Sequence, residues 1–252
     1  MQVTDRATGP FDPPTAFAVP GRIAVSNRAA AVWQRAVLTG IHRETPAVST
    51  FRFAVPGWQG HLPGQHLMLR LTAADGYTAQ RHYSLASPPD DSGHIELTLA
   101  HAEGGEVSGH LHTVARVGDA VEVRGPLSGF FAWPGDRPAL LLGAGSGVVP
   151  LMSMVRHHRS HRLAVPLRLF VSARTREDLI YAGAYGEETT PVLTREGERR
   201  RLAPDHLAPC FGVGAPAWEA YVCGSNAFAE HASRILVDLG QPVERIRIER
   251  FG

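Results

Sequence analysis

The chain has little cysteine: Cys210 and Cys223 are the only two in 252 residues. They could pair only once and cannot supply a four-cysteine iron–sulfur site. The expected setting is therefore a reduced, cytoplasmic one, and any one-electron centre would lie on another molecule. An excess of charge of one sign is also missing. Lys and Arg number 25 against 24 Asp and Glu, for a net charge of +1 and a pI near 8.0. Nothing in that balance argues for nucleic acid. No apolar run approaches the ~20 residues a membrane helix needs. The opening Met1-Gln2-Val3-Thr4-Asp5 lacks the basic-then-apolar pattern of a signal peptide. Histidine is plentiful, yet His110/His112 and His157/His158/His161 lack the acids or cysteines that complete a zinc site, so no metal is expected. What remains is 44% hydrophobic and 19% charged, enough to bury a sizeable core in one large domain or two ordinary ones.

Residues 1–30 are rich in Ala and Pro without a clean period and read as an N-terminal extension. Short strand-like runs follow at 33–40, 48–54, 66–71, 79–84, 94–100 and 120–124, separated by Pro56-Gly57, Pro63-Gly64, Asp75-Gly76, Pro88-Pro89 and Gly118-Asp119. Six strands at this spacing predict a small antiparallel barrel over 31–135. Gly104-Gly105 interrupts it ahead of a short helical turn at 109–114, gathering free backbone N–H groups that favour a phosphate.

The texture changes at Trp133-Pro134-Gly135-Asp136. An apolar run at 139–142 predicts a buried parallel strand. It leads through Gly143-Ala144-Gly145-Ser146-Gly147 into a helix at 148–158 with Pro150 in its first turn. Strands at 167–172, 191–194, 220–223 and 245–251 alternate with helices at 177–185 and 227–239. The alternation predicts an α/β doubly wound parallel sheet over 136–252, with ligands at the carboxyl ends of its strands. The glycine turn lets backbone approach a pyrophosphate at a helix N-terminus, although its G-x-G-x-G spacing is not the usual dinucleotide fingerprint.

One tetrapeptide concentrates chemistry: Arg81-His82-Tyr83-Ser84, at the end of an alternating run. Strand alternation puts Arg81 and Tyr83 on one face and His82 on the other. A flat ring beside a fixed cation suits an aromatic ligand carrying a phosphate, and Ser84 adds a hydroxyl.

Arg81-x-Tyr83-Ser84, Gly105-x-x-Ser108, Gly143 through Pro150, Tyr221-Val222-Cys223-Gly224-Ser225 and Glu249-Arg250-Phe251 occur in the order of the ferredoxin–NADP⁺ reductase superfamily. The chain resembles a bacterial FAD-dependent ferredoxin reductase-like oxidoreductase without a fused [2Fe–2S] domain. The resemblance covers about 33–252 and implies a six-stranded Greek-key barrel that binds FAD, followed by a sheet that binds NAD(P)H. It implies that Arg81 neutralises the FAD pyrophosphate, Tyr83 stacks on the isoalloxazine, and Ser84 hydrogen-bonds near flavin N5, with His82 in the motif's variable slot. Thr98, Leu99 and Ala100 match the strand that follows the ribityl chain. Gly105, Glu106, Val107 and Ser108 would hold the pyrophosphate from the other side. Gly145, Ser146 and Gly147 would cradle the NAD(P)H pyrophosphate. Cys223 and Gly224 match a strand tip beside the nicotinamide, Glu249 a glutamate near the flavin, and Phe251 an aromatic lid. Ser84, Cys223, Glu249 and Phe251 form the expected catalytic set.

NADPH is favoured over NADH. Thr194-Arg195 with Arg200 is one candidate grip on a 2′-phosphate, and Ser172 with Arg174 a second. Some relatives continue into a ferredoxin domain where this sequence ends, so the one-electron acceptor is expected to be separate: a ferredoxin, a flavodoxin or another redox protein. A monomer is expected. Two other functions fit the same motifs: an NAD(P)H:flavin or ferric reductase with a diffusing acceptor, and a flavin- or nucleotide-binding sensor or subunit that does not turn over.

Overall fold

A computed structural model describes residues 32–90 and 92–251; the expected extension at 1–30 lies outside them. The chain first forms strands β1 (Gln34–Thr45), β2 (Val48–Ala54), β3 (His66–Thr72), β4 (Thr78–Ser84), β5 (His94–Ala100) and β6 (Ala120–Leu127), with helix α1 (Glu106–Thr113) between the last two. Alternation explains them. In β3, Leu67 and Leu69 point inward and are fully buried, whereas Met68 and Arg70 are half-buried. The inward residues, Phe51, Phe53, Leu67, Leu69, Ile95 and Leu97 among them, make one core.

The antiparallel order is β4-β3-β6-β1-β2-β5, a Greek-key arrangement. Its two edges meet where Leu85 bridges Leu97, which closes the barrel. The helical turn expected at 109–114 begins earlier, at Glu106, directly out of Gly105.

The second half comprises β7 (Ala139–Ala144), α2 (Val148–Ser160), β8 (Leu167–Ala173), β9 (Thr189–Leu193), α3 (Pro204–Leu207), β10 (Glu219–Gly224), α4 (Asn226–Asp238) and β11 (Ile246–Arg250). All five strands are parallel, in the order β11-β10-β7-β8-β9. Residues of β7 alternate between two cores, Ala139 and Leu141 against α2, Leu140 and Leu142 against α4. The strand order reverses between β7 and β10, so their carboxyl ends frame the crevice where such sheets take ligands.

The helix expected at 177–185 does not form; turns and a single 3-10 turn at Ala182–Ala184 connect β8 to β9. Two local causes are visible. The Asp178 carboxylate accepts from Thr175 N (3.2 Å) and Oγ1 (2.9 Å), tying off a turn. Tyr181 then adopts φ of 65°, which no helix continues.

This irregular crossover helps lock the sheet to the barrel. Tyr181 is buried, and its hydroxyl donates to Thr98 Oγ1 of β5 at 2.5 Å. From α2, Ser153 donates to Ser87 O (2.6 Å), and Arg156 Nη1 donates to Ala86 O (2.9 Å) and Glu96 (2.8 Å). Ser87 O also faces His61, whose Nδ1 accepts from Trp58 Nε1. The proton of His61 therefore sits on Nε2 and is donated to Ser87 O at 3.0 Å. Burial pushes the His61 pKa down to about 4, so this contact carries no charge near neutral pH.

Candidate functional site

The seam between barrel and sheet holds a cavity of about 290 Å³. That is close to the lower end of ordinary ligand sites, roughly 300–1,000 Å³. Its barrel wall is Arg81 through Ser84 at the end of β4, Thr98 through Ala100 at the end of β5, and Gly105 through Ser108 where α1 begins. Its other wall is Ser146, Val149 and Phe251. Arg81 and Tyr83 face it as strand alternation requires. His82 and Ser84, which alternation puts on the other face, line it too.

Tyr83 is half-buried against the barrel core, and that burial raises its hydroxyl pKa to about 12. Its ring is thus neutral and held in place. The Arg81 guanidinium donates to Gln80 O at 2.7 Å and lies 3.8 Å from Glu106, a loose engagement for a side chain 58% exposed. Glu106 itself accepts from the Tyr77 hydroxyl at 2.7 Å. No side chain caps α1, so the first-turn N–H groups of this helix stand open at the cavity. Gly105 keeps this corner open, since a Cβ would meet Ser108 Oγ at 2.6 Å and Ala102 O at 3.1 Å and would have to displace the Ser108 hydroxyl.

Behind this wall a second cluster forms. Ser84 is buried and its Oγ has no hydrogen-bond partner; Glu249 Oε2 is in the same condition. Strand register brings them together. Ser84 pairs with His66 across β3 and β4, His66 Nδ1 lies 3.8 Å from Glu249 Oε1, and Glu249 pairs with Cys223 across β10 and β11. Cys223 is fully buried, and burial with the neighbouring Glu249 pushes its thiol pKa well up. It is a neutral thiol, not a nucleophile. Cys223 and Glu249 do not line the cavity; Phe251 does, anchored by its N–H to Gly224 O at 3.0 Å.

Burial pushes the Glu249 pKa up to about 7. Such a carboxyl holds an extra proton in the folded protein between its unfolded value near 4.5 and about 7. Its contribution is fully present below pH 4.5 and is lost as pH rises through 7. Glu249→Gln removes that loss. Denaturant titration should find the variant more stable than the parent near pH 8, by on the order of 2–3 kcal/mol, and matched to it near pH 4. Equal midpoints at the higher pH contradict the buried carboxyl.

On the sheet side, Gly145 (φ 53°) opens the loop, and Gly147 lies against the backbone of Cys223. Ser146 faces the first cavity, while Gly145 lines a second of about 340 Å³. Ser172, Arg174 and Thr194, expected from the sequence, meet in that second cavity. Arg195 is exposed and does not line it. Arg200 commits its guanidinium to Glu198 (2.5 Å) and Asp205 (2.6 Å). Arg201, Asp178 and His231 line the cavity instead, and sequence reasoning missed all three. Arg201 directly follows the expected Arg200, within the run Arg199-Arg200-Arg201. His231, on α4, carried no signal beyond helical spacing from Ala227. His66 was missed as well; only its register opposite Ser84 reveals it.

Among the described residues, no helix is long and apolar enough to cross a membrane. Residues 35–132 match the oxidoreductase FAD-binding domain family. Ferredoxin–NADP reductase B of Sorangium cellulosum is 30% identical over 207 residues, 75% of this chain and 84% of that protein. The ferredoxin–NAD(P)⁺ reductase component of the naphthalene 1,2-dioxygenase system of Pseudomonas putida is 27% identical over 202 residues. The aligned part is 75% of this chain but only 60% of that relative's length. A solved ferredoxin NADP⁺ reductase from Neisseria gonorrhoeae, with bound FAD and NADP, superposes with a TM-score of 0.72 at 19% identity. It covers 86% of this chain and 98% of its own, a likeness of fold.

Proposed function

The chain belongs to the ferredoxin reductase-like FAD oxidoreductases, and from that premise we propose that it takes hydride from NAD(P)H and delivers single electrons to a separate ferredoxin-type carrier. The observation that carries the reading is the meeting of two half-sites: the Arg81–Ser84 strand end and, from the sheet side, Ser146 and Val149 wall one cavity.

The residues present fit FAD. Arg81 and the open N–H groups of α1 would hold a diphosphate, and Tyr83 offers a fixed neutral ring for stacking. The unpartnered Ser84 Oγ offers a hydrogen bond that no protein group uses. When bound, FAD supplies the conversion of a two-electron donor into a one-electron one. The chain's own work is placement. Ser146 and Val149 bring the nicotinamide side to the cavity, Phe251 lines it on the same wall, and Cys223 and Glu249 brace the strand tips behind. Phe251 must yield when nicotinamide enters.

The test is anaerobic mixing of the FAD-loaded protein with NADPH, followed by a plant-type ferredoxin. The flavin absorbance should bleach and then return as the ferredoxin is reduced. Loading without bleaching would point to a sensor, and bleaching without delivery to any carrier protein would point to a reductase of free flavin or ferric iron.

NADPH is the preferred donor in this reading. Arg174 and Arg201 face one cavity with the Ser172 and Thr194 hydroxyls, a donor set suited to a 2′-phosphate. Asp178 lies in the same cavity and accepts from Arg174 at 2.9 Å, so a phosphate would take over that guanidinium. Arg201→Ala should raise KM for NADPH about tenfold or more and leave KM for NADH nearly unchanged, the size expected of one charge-assisted contact. Equal effects on both would assign the cavity to something other than the 2′-phosphate.

A further inference from the structure

The barrel wall of the first cavity is built from two strand ends with little direct pairing between them. β4 runs on into Leu85, and the barrel closes there through an isolated Leu85–Leu97 bridge rather than a ladder. We propose that Tyr181, on the sheet side of the seam, is a positioning residue for hydride transfer: through Thr98 it fixes the β5 part of this wall against the nucleotide half-site. The inference rests on the electron-transfer reading above. It adds a residue that is not among the described residues lining either cavity.

A hydroxyl chain across the seam supports it first. Tyr181 donates to Thr98 Oγ1 at 2.5 Å, Thr98 Oγ1 lies 2.7 Å from Thr50 Oγ1, and Thr50 donates to Glu44 Oε1 at 2.6 Å. Thr50 spends its one proton on Glu44, so Thr98 donates to Thr50, and the direction of every bond from Tyr181 to Glu44 is set. The Thr98 hydroxyl is therefore committed to protein on both sides. A lining residue held in this way presents a fixed wall to a ligand. The Tyr181 ring is itself held: it is buried, and the Arg156 guanidinium, which donates to Glu96 of the same β5, lies over it at 4.9 Å.

The other end of the same crossover reaches the second cavity. Arg174 and Asp178 line that cavity, Asp178 ties off its turn on Thr175, and the buried Leu179 and Ile180 lead to Tyr181. There the backbone takes φ of 65°, a left-handed conformation that a tyrosine adopts only at a cost. One short packed segment thus touches both half-sites, and packed side chains pass a displacement on rather than absorb it. A phosphate that takes the Arg174 guanidinium from Asp178 acts at one end of the segment, and Thr98 sits at the other. Filling the second cavity orders the segment and the flavin wall with it, so the two ligands favour each other. Loss of the Tyr181 hydroxyl keeps the ring's packing but frees Thr98 to turn.

The experiment uses Tyr181→Phe and adenosine 2′,5′-bisphosphate, which carries the 2′-phosphate but no nicotinamide. In the parent, the bisphosphate should tighten FAD binding about fivefold in equilibrium dialysis, the low end of ordinary coupling between sites. In Tyr181→Phe that tightening should vanish, while the bisphosphate itself binds as in the parent. Flavin reduction at saturating NADPH should slow about tenfold, as expected of a reacting pair held less firmly. A hydroxyl that only stabilises the seam lowers Tm but leaves the tightening and the saturated rate at parent values, and that result overturns the proposal. Thr50→Val, at a residue that does not line the cavity, releases Thr98 from the other side and should reproduce both losses even where Tyr181→Phe folds poorly. Parent-like behaviour of Thr50→Val also overturns it. A parent that does not bind the bisphosphate would defeat the NADPH reading instead, and the saturated rate with NADH then decides the role of Tyr181.

Discussion

Gly147→Ala destabilises the protein by about 3 kcal/mol, the upper end of ordinary overpacking. A Cβ at this position lies 2.2 Å from Cys223 O, 2.4 Å from Cys223 C and 2.7 Å from Gly224 N. These are backbone atoms of β10, held in the parallel ladder between β7 and β11, so no side chain can swing aside. Either the loop lifts or the strand tip moves, and both separate the nicotinamide side from the cavity. Thermal unfolding should show a Tm lower by about 6–12 °C, at the usual 2–4 °C per kcal/mol for a protein of this size. Gly145→Ala is the control. That residue has positive φ but no neighbour near its Cβ, so only backbone strain of about 1 kcal/mol is expected. A Gly147→Ala protein as stable as the control would mean that the loop does not rest on β10.

Arg81→Ala weakens FAD binding by tens to a hundredfold, the worth of a charge-assisted contact of about 1.5–3 kcal/mol. Among the described residues that line the first cavity, Arg81 is the only lysine or arginine, and Glu106 beside it is an acid. Among the described lining residues a diphosphate there would find no other permanent cation. The folded protein uses Arg81 little: one bond to Gln80 O and a 3.8 Å approach to Glu106. Tm without cofactor should therefore hardly change, which separates a binding role from a stabilising one. Arg81→Lys keeps the charge but loses the guanidinium fork, so its affinity should fall between parent and Ala. Equilibrium dialysis against FAD measures all three.

The barrel was legible because its strands alternate. The expected runs at 48–54 and 94–100 coincide with β2 and β5 to the residue, since Phe51, Phe53, Ile95 and Leu97 mark the inner face. The sheet was legible from the unbroken apolar run in β7 and the glycines after it. Turn glycines and Arg81-x-Tyr83-Ser84 located the cavity for the same reason: their constraints are local. The misses are long-range. The segment 177–185 is apolar because Leu179, Ile180 and Tyr181 fill the core beneath α2, not because it is helical. Its hydroxyl bond to Thr98 joins residues far apart in sequence, and no periodicity announces it. Arg200 and Arg201 are adjacent, and only the fold decides which is spent on Glu198 and Asp205 and which faces the second cavity.

The most direct measurement is a fluorescence titration of the cofactor-stripped protein with FAD. One FAD per chain should bind, with its emission quenched by a ring stacked on Tyr83, and the quenching should be relieved in Tyr83→Leu. Absence of saturable binding, or a bound flavin as bright in the parent as in Tyr83→Leu, would contradict a flavin lying against the end of β4.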